Sequence, residues 1–372
     1  MKVLQTVKFY SPSNGGMESV VKNITEGITS ISKKYKFTVY CNSHFPLFKK
    51  KSNIINGIRS LTEFTPFLLR SQPLNIRYSS LRGLLNDTDI VHHHYPFPNM
   101  ELALLRNKDI LVTKKLVITW HANIKNSRWS WIGKYYDPII EQLLIIAETV
   151  VVTSPQLLDN SAILQRYKDK VKVIALSYNP KFFNPLAFSK ELRCGKKELL
   201  FVGKLRKYKG INYLIDAIVH LDVNLTIIGD GEEESALKLQ VEKQGLGVKV
   251  QFLKNIDDDS LAFYYRNSDL FILPSINEAE AFGVVQLEAL ANGLPVINTN
   301  LKSGVPFVSL HQQTGLTVEP KSTIEITKAI EKIISAPSLY KEYSLKSLER
   351  AKLFSRDSMS SSYIDIYNYA KH

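Results

Sequence analysis

Cysteine is almost missing from this chain. Cys41 and Cys194 are the only two in 372 residues, and they lack the paired spacing of a zinc site or a disulfide framework, so two buried free thiols are the expectation. Long apolar runs are missing as well: none approaches the roughly 18 residues that cross a bilayer. The opening MKVLQTVKFYSPSNGG holds an apolar strand too short and too polar for a signal peptide, so a cytoplasmic protein is expected. No segment repeats with a period of about 20 to 50 residues, which excludes solenoids and propellers. The loop Gly229-Asp230-Gly231 lacks the third glycine of a dinucleotide fingerprint, because Glu234 stands in its place. That absence counts against a dehydrogenase. No Asp-x-Asp is read near a strand end, so no acidic seat for a divalent cation is expected.

What is present describes a globular protein. A hydrophobic fraction of 44% with 22% charged residues is a soluble composition, and 372 residues suffice for two domains with a core each. The net charge of +13 is uneven: residues 1–180 carry 24 Lys and Arg against 12 Asp and Glu, and residues 181–372 carry 24 against 23. The first half therefore suits an acidic partner, whether an anionic membrane surface, a phosphorylated acceptor or nucleic acid; ordinary solubilising charge is the plain alternative. No stacking-aromatic motif or known module supports nucleic acid, and none is expected as a partner. From His44 to Leu84, Lys49-Lys50-Lys51, Arg59, Arg70, Arg77 and Arg82 interleave with Phe45, Phe48, Phe64 and Phe67. Such a segment fits a membrane interface, or helices and loops packed on the domain.

Strands and helices alternate in both halves. Lys2 to Phe9 reads as a strand, Tyr10 to Gly16 as a turn-forming loop, and Met17 to Ser32 as a helix with Val20, Val21, Ile24, Ile28 and Ile31 on one stripe. Further strands follow at Phe37–Cys41, Asp89–His93, Leu116–Trp120, Thr149–Thr153 and Val171–Ile174. This pattern predicts a parallel, doubly wound domain. His92, His93 and His94 are adjacent on a strand and point to alternate faces, so they do not converge on a metal. His121 follows the strand Leu116–Trp120, at the end where ligands sit in open α/β sheets. Ala175 to Lys197 holds two prolines and no sustained period, which places the boundary between domains 1–180 and 181–354.

The second half holds the stretch that the rest is organised around, Leu273 to Thr299. A buried strand, a polar loop, a helix from about Phe282 to Ala291 and another strand are read there. Glu280 precedes the helix and Glu288 lies eight residues on; were all eight helical, the rise would be roughly 12 Å, about the span of a nucleotide sugar from hexose to ribose. The free N–H groups of the first turn suit a diphosphate, and Gly283 lets it approach. Upstream, Lys204, Arg206, Lys207 and Lys209 crowd just before a helix at Ile211. The helix dipole disfavours cations there, and an anion between them and the helix would resolve the conflict.

With these residues in view, G-G-M-E, W-H-A, F-V-G-K-L-x-K-Y-K-G, I-I-G-D-G and P-S-x-N-E-A-E-A-F-G-V-V-Q-L-E-A-L-A-N-G-L-P-V resemble, in order and spacing, the retaining glycosyltransferases of family 4. The resemblance runs from about Lys2 to Glu319 and is strongest after Glu198. It implies the GT-B fold: two Rossmann-like α/β domains facing across a cleft, with a C-terminal helix in 355–372 packing back on the first. It also implies roles. Glu280 would hold donor-sugar hydroxyls and Glu288 the ribose; Lys209, with Lys204 or Arg206, would meet the diphosphate. Gly16, Phe282 and Gly283 would line the donor, and His121 would lie near the reacting sugar. The implied donor is a nucleotide-diphosphate sugar, with no cofactor and no metal. The implied acceptor is a saccharide, such as a glycan on a polyprenyl diphosphate in bacterial O-antigen or surface polysaccharide synthesis, met at the inner face of the plasma membrane.

The chemistry is consistent with those roles. Cleaving a sugar–diphosphate bond builds negative charge on the leaving group, and the cations of Lys204–Lys209 with the helix start at Gly283 can stabilise it. A nucleotide-binding module without transferase activity, or a nucleotide-sugar epimerase, would share the same architecture.

Overall fold

Runs of Val, Ile, Leu and Phe too short for helices form two sheets whose strands are mostly buried on both faces, as parallel pairing between layers of helices requires. The computed structural model describes residues 1–11, 16–69, 72–73, 75, 77–123, 133–184, 187 and 190–369. The chain divides into two units, Met1–Ser177 with Arg356–His372, and Tyr178–Ser355.

In unit 1 the strands are β1 (Lys2–Thr6), β2 (Lys36–Cys41), β3 (Lys51–Ile55), β4 (Ile58–Thr62), the two-residue pair β5 (Leu68–Leu69) and β6 (Gln72–Pro73), β7 (Ile90–Tyr95), β8 (Lys115–Trp120), β9 (Thr149–Val152) and β10 (Val171–Val173). The main sheet runs β10-β9-β8-β7-β1-β2-β4-β3. It is parallel except at β3, which pairs antiparallel with β4. The segment between His44 and Leu84 is thus partly a hairpin that extends the sheet edge, a departure from the purely parallel expectation. Asn56 and Gly57 make its turn with φ of 50° and 79°, the left-handed pair that a tight hairpin demands.

Helix Gly16–Ile31 buries Val20, Val21, Ile24 and Ile28. Helix Arg356–Asn368 packs beside it, with Arg356 3.9 Å from Glu26 and Tyr363 and Tyr367 buried. The end of the chain therefore returns to the first domain.

Unit 2 holds β11 (Lys197–Val202), β12 (Val223–Ile228), β13 (Val250–Leu253), β14 (Leu270–Leu273), β15 (Val296–Thr299) and β16 (Gly315–Val318), all parallel, in the order β13-β12-β11-β14-β15-β16. The chain leaves β11 toward one edge and returns at β14 on the other side. The strand order therefore switches direction between β11 and β14, the usual ligand position in such sheets. In unit 1 the same switch lies between β1 and β7.

Three details correct the sequence. Cys41 is buried as expected, but Cys194 is exposed. The central helix runs Val284–Ala291, so it starts two residues later than Phe282 and only part of the Glu280–Glu288 interval is helical. Asp257 and Asp259 do have Asp-x-Asp spacing shortly after β13. Asp257, however, caps helix Asp258–Asn267 by accepting from the Ser260 N–H at 2.7 Å, while Asp259 lies 3.9 Å from Lys181.

His92 and His94 are fully buried, and burial pulls both rings well below the usual histidine range. The unfolded chain binds protons at these rings as pH falls through about 6.5, whereas the folded unit does not. Their contribution is complete above that pH and is lost below it. Melting followed by circular dichroism should show the midpoint falling from pH 7.5 to pH 5, with each ring contributing up to about 1.4 kcal/mol per pH unit.

Candidate active site

The loop after β11 and the loop after β14 meet at an ion pair. Lys207–Lys209 form a single 3-10 turn and Gly210, at φ 65°, caps helix Ile211–Ala217. A side chain on Gly210 would meet the Pro274 carbonyl oxygen at 2.2 Å, so glycine alone permits this approach of the two loops. The Ile276 N–H donates to the Tyr208 carbonyl at 2.8 Å and fixes their register. As a result Lys209 Nζ lies 2.5 Å from Glu280 Oε2, both residues only 7% exposed. Ser275 Oγ donates to the same carboxylate oxygen at 3.0 Å. Burial alone would pull the Lys209 ammonium down, but the Glu280 carboxylate outweighs it and the net shift is upward. Lys209 therefore stays charged.

The other cations of the loop are placed differently. Lys204 is exposed and reaches Asp230 after β12 at 2.5 Å. Arg206 and Lys207 are exposed, and neither has an ion-pair partner among the described residues. The loop thus keeps one buried cation, one exposed and paired cation, and two at the surface.

Gly283 caps the central helix at φ 72°. Phe282 turns its ring inward, 6.4 Å from Phe307 and 6.5 Å from Phe354, so only its backbone is left to face a ligand. Glu288, on the helix, is half-buried and accepts from the Tyr265 hydroxyl at 2.8 Å. Burial pushes its carboxyl up to about 7 despite that hydrogen bond.

Two expected residues lie in unit 1. Gly16 is the exposed first residue of helix Gly16–Ile31, while Gly15 lies outside the described residues. His121, just past β8, is partly exposed; its ring shares a 2.9 Å hydrogen bond with His94, and burial with a push from His93 brings it down to about 3. It is a neutral hydrogen-bonding group at pH 7. The sequence singled out His121 without His94 or Gln5, although alternation along β7 puts His92 and His94 on one face and would have paired them.

Two α/β units, with cations, a glycine-led helix and carboxylates gathered at a switch point, define a protein built to hold an anionic nucleotide ligand. Comparison with solved structures assigns the fold. Sucrose-phosphate synthase from Thermosynechococcus elongatus superposes with a TM-score of 0.77 at 22% identity, covering 98% of each chain. HepE of Anabaena, solved with UDP, gives 0.76 at 18% identity and 99% coverage of each. The fold is GT-B. A family model for glycosyltransferase family 4 matches residues 14–181, and one for glycosyl transferases group 1 matches 184–350. The chain belongs to the family 4 glycosyltransferases. It is 27% identical over 350 residues to the D-rhamnosyltransferase WbpZ of Pseudomonas aeruginosa, covering 92% of this chain and 89% of that one. It is 25% identical over 382 residues to the O-antigen chain mannosyltransferase C of Escherichia coli, covering 99% and 98%.

The buried pair gives a stability prediction. Lys209→Met leaves the Glu280 charge without its partner and should cost about 3–5 kcal/mol, whereas Lys209→Met with Glu280→Gln should cost clearly less. Urea unfolding of the three proteins checks this; equal losses for single and double variants would mean that the charges do not interact.

Proposed function

We propose that the chain is a retaining hexosyltransferase, moving a hexose from a nucleoside diphosphate sugar to a saccharide acceptor carried on a polyprenyl diphosphate, in the assembly of O-antigen or another surface polysaccharide. The observation that carries this reading is the Lys209–Glu280 pair at the switch point of unit 2. A cation held there can neutralise a leaving diphosphate, and a carboxylate beside it can accept from sugar hydroxyls. In the step itself the bond from the anomeric carbon to the diphosphate breaks and the acceptor oxygen bonds that carbon on the same face. The hydroxyl proton passes to the leaving phosphate oxygen. Arg206, without an ion-pair partner among the described residues, supplies further positive charge, with Lys204 beside it, and the helix N-terminus at Gly283 offers N–H donors. Glu288 is the ribose ligand in this reading, and unit 1 offers Gly16 and neutral His121. These cations fill the role of a divalent metal, so none is required. The similarity to a rhamnosyltransferase and to an O-antigen mannosyltransferase supports the polysaccharide assignment.

The test is transfer of sugar from UDP- and GDP-linked donors into a lipid-extractable acceptor in the presence of EDTA, with the product anomer read by NMR. Activity should survive EDTA with the configuration kept. Glu280→Gln should lower turnover, while Glu288→Ala should weaken nucleoside diphosphate binding by about 1.5–3 kcal/mol. In wild type, the Glu288 contribution should grow as pH rises through about 7, where the carboxyl ionises. Strict dependence on added manganese, or inversion at the anomeric carbon, would overturn the mechanism.

Among the described residues no helix is long and apolar enough to cross a membrane. Contact with an anionic cytoplasmic leaflet is assigned in this reading to the β3–β4 edge of unit 1. Phe45, Phe48 and Phe67 are 78%, 70% and 67% exposed there, beside exposed Lys49 and Lys51. Lys50 is different, since it lies 3.7 Å from buried Glu63. Lys49→Glu with Lys51→Glu should therefore reduce co-sedimentation with anionic vesicles without disturbing the hairpin, and binding should weaken with salt. Wild-type protein that ignores anionic vesicles at low salt would point to a soluble acceptor.

A further inference from the structure

A continuous line of buried polar groups runs through unit 1 to His121. His121 Nε2 lies 2.9 Å from His94 Nδ1, and His94 Nε2 lies 2.8 Å from Gln5 Oε1. Gln5 Nε2 donates to the Tyr367 hydroxyl at 3.1 Å, and that hydroxyl lies 2.7 Å from His92 Nδ1. His92 Nε2 is 2.7 Å from Thr119 Oγ1, which is 2.9 Å from the Tyr363 hydroxyl. Every member is buried except His121, which is partly exposed. The line draws on β1, β7, β8 and helix Arg356–Asn368, and it ends at its one ring that is not fully buried.

Its polarity follows from the Gln5 amide, whose N–H donates to the Tyr367 hydroxyl. A phenol is a good donor and a bare imidazole nitrogen a good acceptor, so Tyr367 donates to His92 Nδ1. Tyr367 then accepts from the Gln5 amide N–H, which turns the Gln5 carbonyl toward His94. That carbonyl can only accept, so His94 carries its proton on Nε2. Being neutral, His94 presents a bare Nδ1, which accepts from His121 Nε2–H. Turning the Gln5 amide over would reverse every donor along the line, with Tyr367 then donating to the Gln5 oxygen and accepting from His92 Nδ1–H.

We propose that Gln5 and His94 are positioning residues that hold His121 in the tautomer with its proton on Nε2 and a bare Nδ1, so that His121 accepts a hydrogen bond from a sugar hydroxyl. The consequence for turnover rests on the transferase reading above; the tautomer does not. A hydroxyl can donate to this nitrogen, whereas a deoxy or O-methyl position cannot. Helix Arg356–Asn368 belongs to the device, because the Tyr367 hydroxyl accepts from the Gln5 amide N–H. The deep burial that keeps both histidine rings neutral serves the same end, since a protonated ring would have no acceptor to offer.

The experiment is nitrogen NMR of protein labelled with 15N-histidine, together with transfer kinetics, on wild type, Gln5→Met and Gln5→Glu. In wild type the His121 Nδ1 signal should lie in the unprotonated range and Nε2 in the protonated range. Gln5→Met removes the acceptor for His94 at similar volume and should mix the two tautomers, lowering kcat roughly five- to tenfold, the effect of one neutral hydrogen bond, with less change in KM. Gln5→Glu still accepts from His94 and should restore both the signal and most of the rate. A protonated Nδ1 in wild type, or His121 signals unmoved in Gln5→Met, would overturn the proposal; so would melting temperatures that fall in both variants with no change in the nitrogen signals. The expected signals in a protein that transfers no sugar would refute the transferase reading and leave the tautomer in place.

Discussion

Lys209 and Glu280 are 71 residues apart in sequence, and the functional half of the chain depends on their being 2.5 Å apart in space. Neither charge is tolerable alone at that depth. Their pairing requires that the loops after β11 and β14 touch, which requires in turn that β11 and β14 be neighbours and that Gly210 carry no side chain. Strand order, loop contact and ion pair are thus one constraint expressed at three scales. A cation and a carboxylate held this way are pre-arranged for a ligand that carries both phosphate and hydroxyls.

Glu288 is conditioned by the same helix in a different way. Its carboxyl, half-buried beside Tyr265, is pushed up to about 7, so near neutrality it is divided between a form that donates and one that only accepts. In the proposed function, a ribose with two adjacent hydroxyls suits the ionised form. The two glutamates therefore differ less by position along the helix than by their surroundings: one sits against an ammonium, the other against a phenol.

In unit 1 one part of the polar interior is a continuous line rather than a pair. Buried polar groups are costly unless each finds a partner, and a line of seven side chains solves that problem by having each member serve the next. Its two ends have unequal roles. One is anchored on the returning C-terminal helix and the other leaves His121 partly open. The final helix thereby belongs to the chemistry of the first domain as well as to its packing.

Much of this was legible in the sequence, and what was not has physical causes. The alternation of strands and helices, the helix stripe from Val20 to Ile28 and the glycine before the central helix are local, set by periodicity and by backbone preferences within a few residues. The motifs around Glu280 and Lys209 carried the family. The Asn56-Gly57 hairpin was also local but lay among charges that concealed its short strands. What the sequence could not decide is long-range. That Lys209 meets Glu280 rather than a solvated surface, that Phe282 turns into the core, that Lys50 is occupied by Glu63, and that Gln5, His94 and Tyr367 join in one line all depend on strand order and helix packing. Those are fixed by how buried surfaces fit together, and no window along the chain contains both partners.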